Sequence, residues 1–105
     1  MQGGTVQGIG WALNEEFFMG SDGAIFNTSL LDYRMPSSLD LPMIDPVIVL
    51  VPNPGHPFGV RGVGEANLSA PLAAVSNAAF RATGIRILDL PMSPDSVHSA
   101  IDKTS

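Results

Sequence analysis

The thirteen residues from Pro52 to Gly64 include three prolines and four glycines. Proline lacks an N–H donor and fixes φ, while glycine admits positive φ, so neither a helix nor a ladder strand can run through such a stretch. The sequence predicts an irregular loop there, with regular structure confined to its flanks. On one flank Val47-Ile48-Val49-Leu50-Val51 is apolar, largely β-branched and bounded by Pro46 and Pro52, which predicts a strand covered on both faces. On the other, Ser69 and Pro71 supply N-cap and first-turn chemistry for a helix over Leu72 to Thr83, with Gly84 placed at its C-terminal stop.

Weaker periodicities fill in the rest. Val6, Ile9, Leu13 and Phe17 form one stripe of an amphipathic helix over Thr5 to Phe18, with Gly20 as its stop. Glycine costs a helix about 1 kcal/mol relative to alanine, so Gly8 and Gly10 imply that another backbone or a ligand passes close, packing being the commoner reason. Ser21-Asp22-Gly23 reads as a turn, Ala24 to Leu31 as an extended segment, and Pro36 to Pro42 as a loop. Ile85 to Leu90 reads as a short strand, and Ser93-Pro94-Asp95 opens a final helical turn carrying Val97 and Ile101. The expected order is α, β, β, α, β, α. The fold class is α+β with α/β-like character, a short mixed sheet packed by two main helices.

With 105 residues, 45% of them hydrophobic and 14% charged, the chain can build one modest core, and residues 1–105 read as a single partial domain. The chain enters a helical pattern almost at once, as expected of a segment of something longer. Ten acidic residues face five basic ones, scattered at Arg34, Arg61, Arg81, Arg86 and Lys103, which argues against nucleic acid as a partner. Cysteine is absent, which removes disulfides, thiolate nucleophiles and thiolate metal sites. No apolar run approaches the roughly 20 residues of a membrane span, and no secretory leader pattern opens the chain. It reads as a soluble, cytoplasmic protein.

The segment Gly59-Val60-Arg61-Gly62-Val63-Gly64-Glu65 brings a carboxylate to the mouth of the second long helix. Glu65 is either a charge stabilised by the helix dipole, a matter of about 0.3–1 kcal/mol, or a general base held beside a substrate. The glycines leave room for a ligand, and backbone N–H groups in such a loop can bind an anion or a cofactor oxygen. It is not a phosphate loop, lacking the Gly-Lys-Ser/Thr ending, and Gly8-Ile9-Gly10 lacks the strand and third glycine of a dinucleotide site. His56 and His98 have no partners at metal-ligand spacing and read as surface residues, so no metal ligand is assigned. Glu15 and Glu16 point about 100° apart on a helix and read as solvated charges. Trp11, Phe17, Phe18, Phe26, Phe58 and Phe80 read as core or interface anchors.

Several stretches occur together in a telling order. They are Gly3-Gly4-Thr5-Val6-Gln7-Gly8-Ile9-Gly10-Trp11-Ala12-Leu13-Asn14-Glu15-Glu16, then Asp22-Gly23, Asn27 to Leu31, Asp32-Tyr33-Arg34-Met35-Pro36 and Asp40-Leu41-Pro42. Gly62-Val63-Gly64-Glu65 and Ala70-Pro71-Leu72-Ala73-Ala74-Val75-Ser76-Asn77-Ala78 follow. The succession resembles the C-terminal part of the molybdenum-binding (large) subunit of the xanthine dehydrogenase and aldehyde oxidase family, from about Gly3 to Ile101. Arg61 stands where relatives commonly carry lysine, and Ala66-Asn67 where they often carry prolines.

The resemblance implies that Glu65 is the base that deprotonates a hydroxyl ligand on molybdenum, which attacks an electron-poor carbon while hydride passes to a sulfido ligand. It implies that Gly62, Val63 and Gly64 approach a molybdopterin cofactor, whose contacts come largely from other segments of a longer subunit. The expected partners are those remaining segments and iron–sulfur and flavin subunits. One reading is therefore a piece of a molybdenum hydroxylase, an oxidoreductase, that contributes Glu65 to the complete enzyme and by itself is inactive and binds no cofactor. The other is a stand-alone structural or interaction domain that forms a homo-oligomer.

Overall fold

A computed structural model describes residues 1–104. Along the described chain the regular elements are helix α1 (Gln2–Leu13), a single 3-10 turn (Pro57–Gly59), helix α2 (Ala66–Thr83) and helix α3 (Pro94–Asp102). The expected mixed sheet is not there. Among the described residues the only β pairing is one isolated antiparallel bridge, Met19 to Ile25.

The reason is a lack of partners. A strand exists through the ladder it shares with a neighbour, and each extended segment here is engaged elsewhere or lies alone. Val47 to Val51, expected to be covered on both faces, is irregular backbone whose side chains are 60–86% exposed. Ala24 to Leu31 instead turns back on the chain before it. Gly20 N–H donates to the Ala24 carbonyl and Phe26 N–H to the Phe18 carbonyl, around a turn with Gly23 at φ 82°. Ile85 to Leu90 also forms no strand. Its first amide donates to the Thr83 hydroxyl, and Arg86 reaches back to Asn77 (2.8 Å) and over the Phe80 ring.

Helix α1 ends at Leu13, short of the expected Phe18 and Gly20. Asn27 accounts for the early stop. Its side chain is 4% exposed, accepts from Phe18 N–H (2.9 Å) and donates to the Glu16 carbonyl (2.6 Å), which holds residues 16–18 extended. Phe17 is thereby outside the helix and 59% exposed, its ring 5.0 Å from that of Tyr33.

Helix α2 starts at Ala66, six residues before the expected Leu72, so Ser69 and Pro71 lie inside the helix rather than at its cap. Gly84 does close it, at φ 74°, with its N–H donating to the Phe80 carbonyl. Ser93 caps α3 as expected, its side chain accepting from Ser96 N–H at 3.3 Å.

The packing that organises the molecule is α1 against α2, and glycine makes it possible. A Cβ on Gly8 would fall 2.8 Å from the Leu68 carbonyl oxygen and 2.9 Å from Pro71 Cβ. A Cβ on Gly10 would fall 2.6 Å from Pro36 Cδ. The neighbours implied by these two glycines are thus other parts of the chain. Further on, Met92 N–H donates to the Ala12 carbonyl (2.7 Å) and ties the segment before α3 to the end of α1. Ala12 and Met92 are the buried apolar core, with Gly8, Gly10, Pro71 and Pro91 buried beside them. Trp11, Phe17, Phe18, Phe26, Phe58 and Phe80 are 40–103% exposed, so none of them is a core residue. No described helix is long and apolar enough to cross a membrane.

Candidate functional site

The breaker-rich stretch is an irregular loop, as its composition predicts, apart from the single 3-10 turn at Pro57–Gly59. Asn53 N–H donates to the Gly59 carbonyl (3.0 Å), closing a neck, while Gly55 N–H donates to Asn53 Oδ1 within the turn. Phe58 (φ 59°) and Gly59 (φ 69°) are both left-handed, and together they reverse the chain so that residues 59–61 return beside residues 51–53. For a bulky aromatic this conformation is costly. Arg61 fastens the same neck from the side, Nε donating to the Val51 carbonyl at 2.6 Å and Nη2 to that of Pro52 at 3.5 Å. An open groove of about 580 Å³ lies between Ile48–Val51 and Phe58–Val63.

Beyond the neck the chain is bare. A Cβ on Gly62 or on Gly64 would meet nothing within 4 Å. The amide N–H groups of Gly62, Val63 and Gly64 have no acceptor among the described residues, whereas the Val63 carbonyl accepts from Asn67 Nδ2 at 3.3 Å. Helix α1 seats the far side, since a Cβ on Gly4 would lie 3.6 Å from the Gly64 carbonyl oxygen and 3.2 Å from Asn67 Cβ.

Glu65 occupies the N-cap position of α2, with helical φ −102° and ψ −8° and a carbonyl that accepts from Leu68 N–H. Its side chain is exposed and makes no capping bond, and its carboxylate has no hydrogen-bond or ion-pair partner among the described residues. The four site residues read from the sequence, Gly62, Val63, Gly64 and Glu65, thus form one exposed turn between a fastened neck and the first turn of α2.

Other candidates separate cleanly. His56 and His98 lie on the surface, His98 beside Asp102 at 3.1 Å, and no group of three metal-ligating side chains occurs among the described residues. Glu15 is not simply solvated, because its carboxylate accepts from the Tyr33 hydroxyl at 2.8 Å. That bond, then burial and the glutamate charge, raises the Tyr33 pKa above its ordinary value. Asp40 accepts from the Ser37 amide (2.7 Å) and hydroxyl (2.8 Å), and these bonds, the amide first, hold its carboxyl below the usual range. Neither Arg61's grip on Val51 nor Asn27's on residues 16–18 was legible beforehand. Asn27, the first of three polar residues with Thr28 and Ser29 that interrupt Ala24 to Leu31, is the one sequence signal of the latter.

Comparison with known proteins gives a consistent answer. A family model described as "Molybdopterin cofactor-binding domain" matches residues 1–42. The xanthine dehydrogenase molybdenum-binding subunit of Escherichia coli O157:H7 is 39% identical over 95 residues, covering 90% of this chain and 13% of that protein. The aldehyde oxidoreductase of Megalodesulfovibrio gigas is 41% identical over 100 residues, 94% of this chain and 11% of its own. The crystal structure of quinoline 2-oxidoreductase from Pseudomonas putida 86 superposes with a TM-score of 0.81 at 34% identity, over 96% of this chain and 13% of that one. The chain therefore spans about an eighth of the length of the relatives it matches.

Proposed function

The chain belongs, as a segment, to the xanthine dehydrogenase and aldehyde oxidoreductase family of molybdenum-binding subunits, and on that premise we propose that Glu65 is its proton acceptor in a hydroxylation at carbon. The observation that carries this reading is the state of the Glu65 carboxylate. It is exposed, unpaired and set at the end of a turn whose two glycines leave open space around the backbone. Among the described residues neither a cap nor a cation engages the carboxylate, which leaves both oxygens open to a ligand.

The turn suits a molybdopterin cofactor as one wall of its site. Unpaired N–H groups at Gly62, Val63 and Gly64 can donate to anionic oxygens, and the missing side chains at 62 and 64 allow close approach. When bound, the cofactor supplies the transferred oxygen and takes up the electrons removed from the substrate carbon. Glu65 receives the proton from the attacking oxygen, with its carboxylate unprotonated beforehand and neutral afterwards. One turn cannot enclose a pterin, so the remaining walls come from further segments of the subunit, and iron–sulfur and flavin partner subunits carry the electrons onward. In isolation the chain is inactive.

The test is Glu65→Gln in the complete enzyme that contains this segment. Loss of a general base lowers kcat about 100-fold or more with molybdenum content unchanged. Near-normal kcat overturns the assignment.

A further inference from the structure

We infer that Arg61 is a positioning residue for the turn that carries Glu65, an assignment that rests on the Glu65 reading above. The turn has two anchors. On its C-terminal side Asn67 holds the Val63 carbonyl, and the Glu65 carbonyl enters the first bond of α2. On its N-terminal side the anchor is the Arg61 side chain, which reaches back ten residues to donate from Nε to the Val51 carbonyl at 2.6 Å, with Nη2 at 3.5 Å from that of Pro52.

Between the anchors a side chain on Gly62 or Gly64 would meet nothing within 4 Å, and glycine backbone samples both signs of φ. The direction in which Glu65 points is therefore set by where the two ends are held. Without Arg61 the nearest N-terminal constraints are the long Val60 N–H to Pro57 carbonyl bond (3.4 Å) and the Asn53–Gly59 backbone bond, which leave residue 61 to swing with the glycines. The guanidinium suits this task. A charge-assisted N–H···O bond to a carbonyl is stronger than a neutral one, and the planar fork presents two donors from one face. The positive charge is thus spent on the chain's own carbonyls, which makes Arg61 a fastener of the neck rather than a group that touches substrate.

The experiment compares Arg61→Met and Arg61→Lys in the complete subunit. Amide hydrogen exchange is followed on the cofactor-free form, and kcat and KM on the loaded enzyme. With Arg61→Met, exchange at Asn53, Gly59 and Val60 rises about tenfold, the weight of one such hydrogen bond, while α2 exchanges as before. kcat falls about 10- to 100-fold, as for a misplaced catalytic group, with KM held within about twofold. Arg61→Lys, able to reach one carbonyl, recovers part of both. Unchanged exchange in Arg61→Met overturns the fastening, and a fall in kcat without a change in exchange overturns positioning in favour of direct contact with substrate. Full activity in Glu65→Gln overturns the base assignment itself, whatever Arg61 does.

Discussion

Asp40 and Tyr33 give the chain a response to pH at opposite ends of the scale. The carboxyl of Asp40 is held below its ordinary 3.8 by the Ser37 amide and hydroxyl, so its stabilising contribution is full above that value and is lost as pH falls through the lowered one. Tyr33 is held above its ordinary 10.0 by its bond to Glu15, so its contribution is full below 10.0 and fades as pH rises through the raised value. Both groups are largely solvent-screened, and the effects are small. Asp40→Asn is expected to flatten the acid limb of stability against pH and Tyr33→Phe the alkaline limb. Denaturant midpoints across pH check both, and an Asp40→Asn protein that keeps the wild-type acid limb contradicts the first.

At the scale of elements, the α1–α2 crossing depends on having no side chain at Gly8. The Leu68 carbonyl and the Pro71 ring occupy the space a methyl would need, at 2.8 and 2.9 Å, and backbone cannot give way as a flexible side chain could. Overpacking of this kind costs about 1–3 kcal/mol, against a gain of about 1 kcal/mol in helix propensity. Gly8→Ala is expected to destabilise the complete subunit by up to about 2 kcal/mol on those figures, read by chemical denaturation. Gly3→Ala, on the same helix with nothing within 4 Å of its Cβ, is the control and is expected to be neutral or stabilising. Because Gly4 seats the Gly64 carbonyl and Gly8 seats α2, the same helix face that fixes the crossing also fixes the floor of the Glu65 turn.

The molecule as a whole is too open for its mass. A compact chain of 11.0 kDa exposes about 5,600 Å² and has a radius of gyration of about 13 Å. This one exposes 8210 Å² with a radius of 17.4 Å. Much of the excess is apolar, including Val47 to Val51 and Phe58, and surface of that kind ordinarily marks an interface. Together with the spans of its relatives, this argues that the segment is completed by further chain. Prepared alone, it is expected to relieve the exposure by self-association. Sedimentation equilibrium at micromolar protein then gives a mass above 11.0 kDa that rises with concentration, together with binding of a hydrophobic dye. A monomer that binds no dye shows instead that the short chain closes its own core.

What could be read from the residues alone was what is decided within a few positions along the chain. Ser93 before Pro94 and Gly84 after Thr83 punctuate helices through bonds to neighbouring amides and carbonyls, and both do so in the fold. The density of proline and glycine from Pro52 to Gly64 excludes a long helix or a ladder strand whatever surrounds it, leaving room only for the 3-10 turn Pro57–Gly59, and the order of motifs identified the family. What needed the tertiary structure was everything that depends on a distant partner. Val47 to Val51 has the composition of a strand, but a ladder requires a second backbone at hydrogen-bonding distance, and none of the described residues supplies it. The Val6-Ile9-Leu13-Phe17 stripe continues past Leu13 in the sequence, yet Asn27 competes for the backbone of residues 16–18 and ends the helix. Arg61 could be noted as a cation in a motif, but its grip on Val51 exists because two left-handed residues, Phe58 and Gly59, turn the chain back on itself. Local preferences act through the nearest few residues, whereas pairing, burial and clamping are settled by what the fold brings alongside.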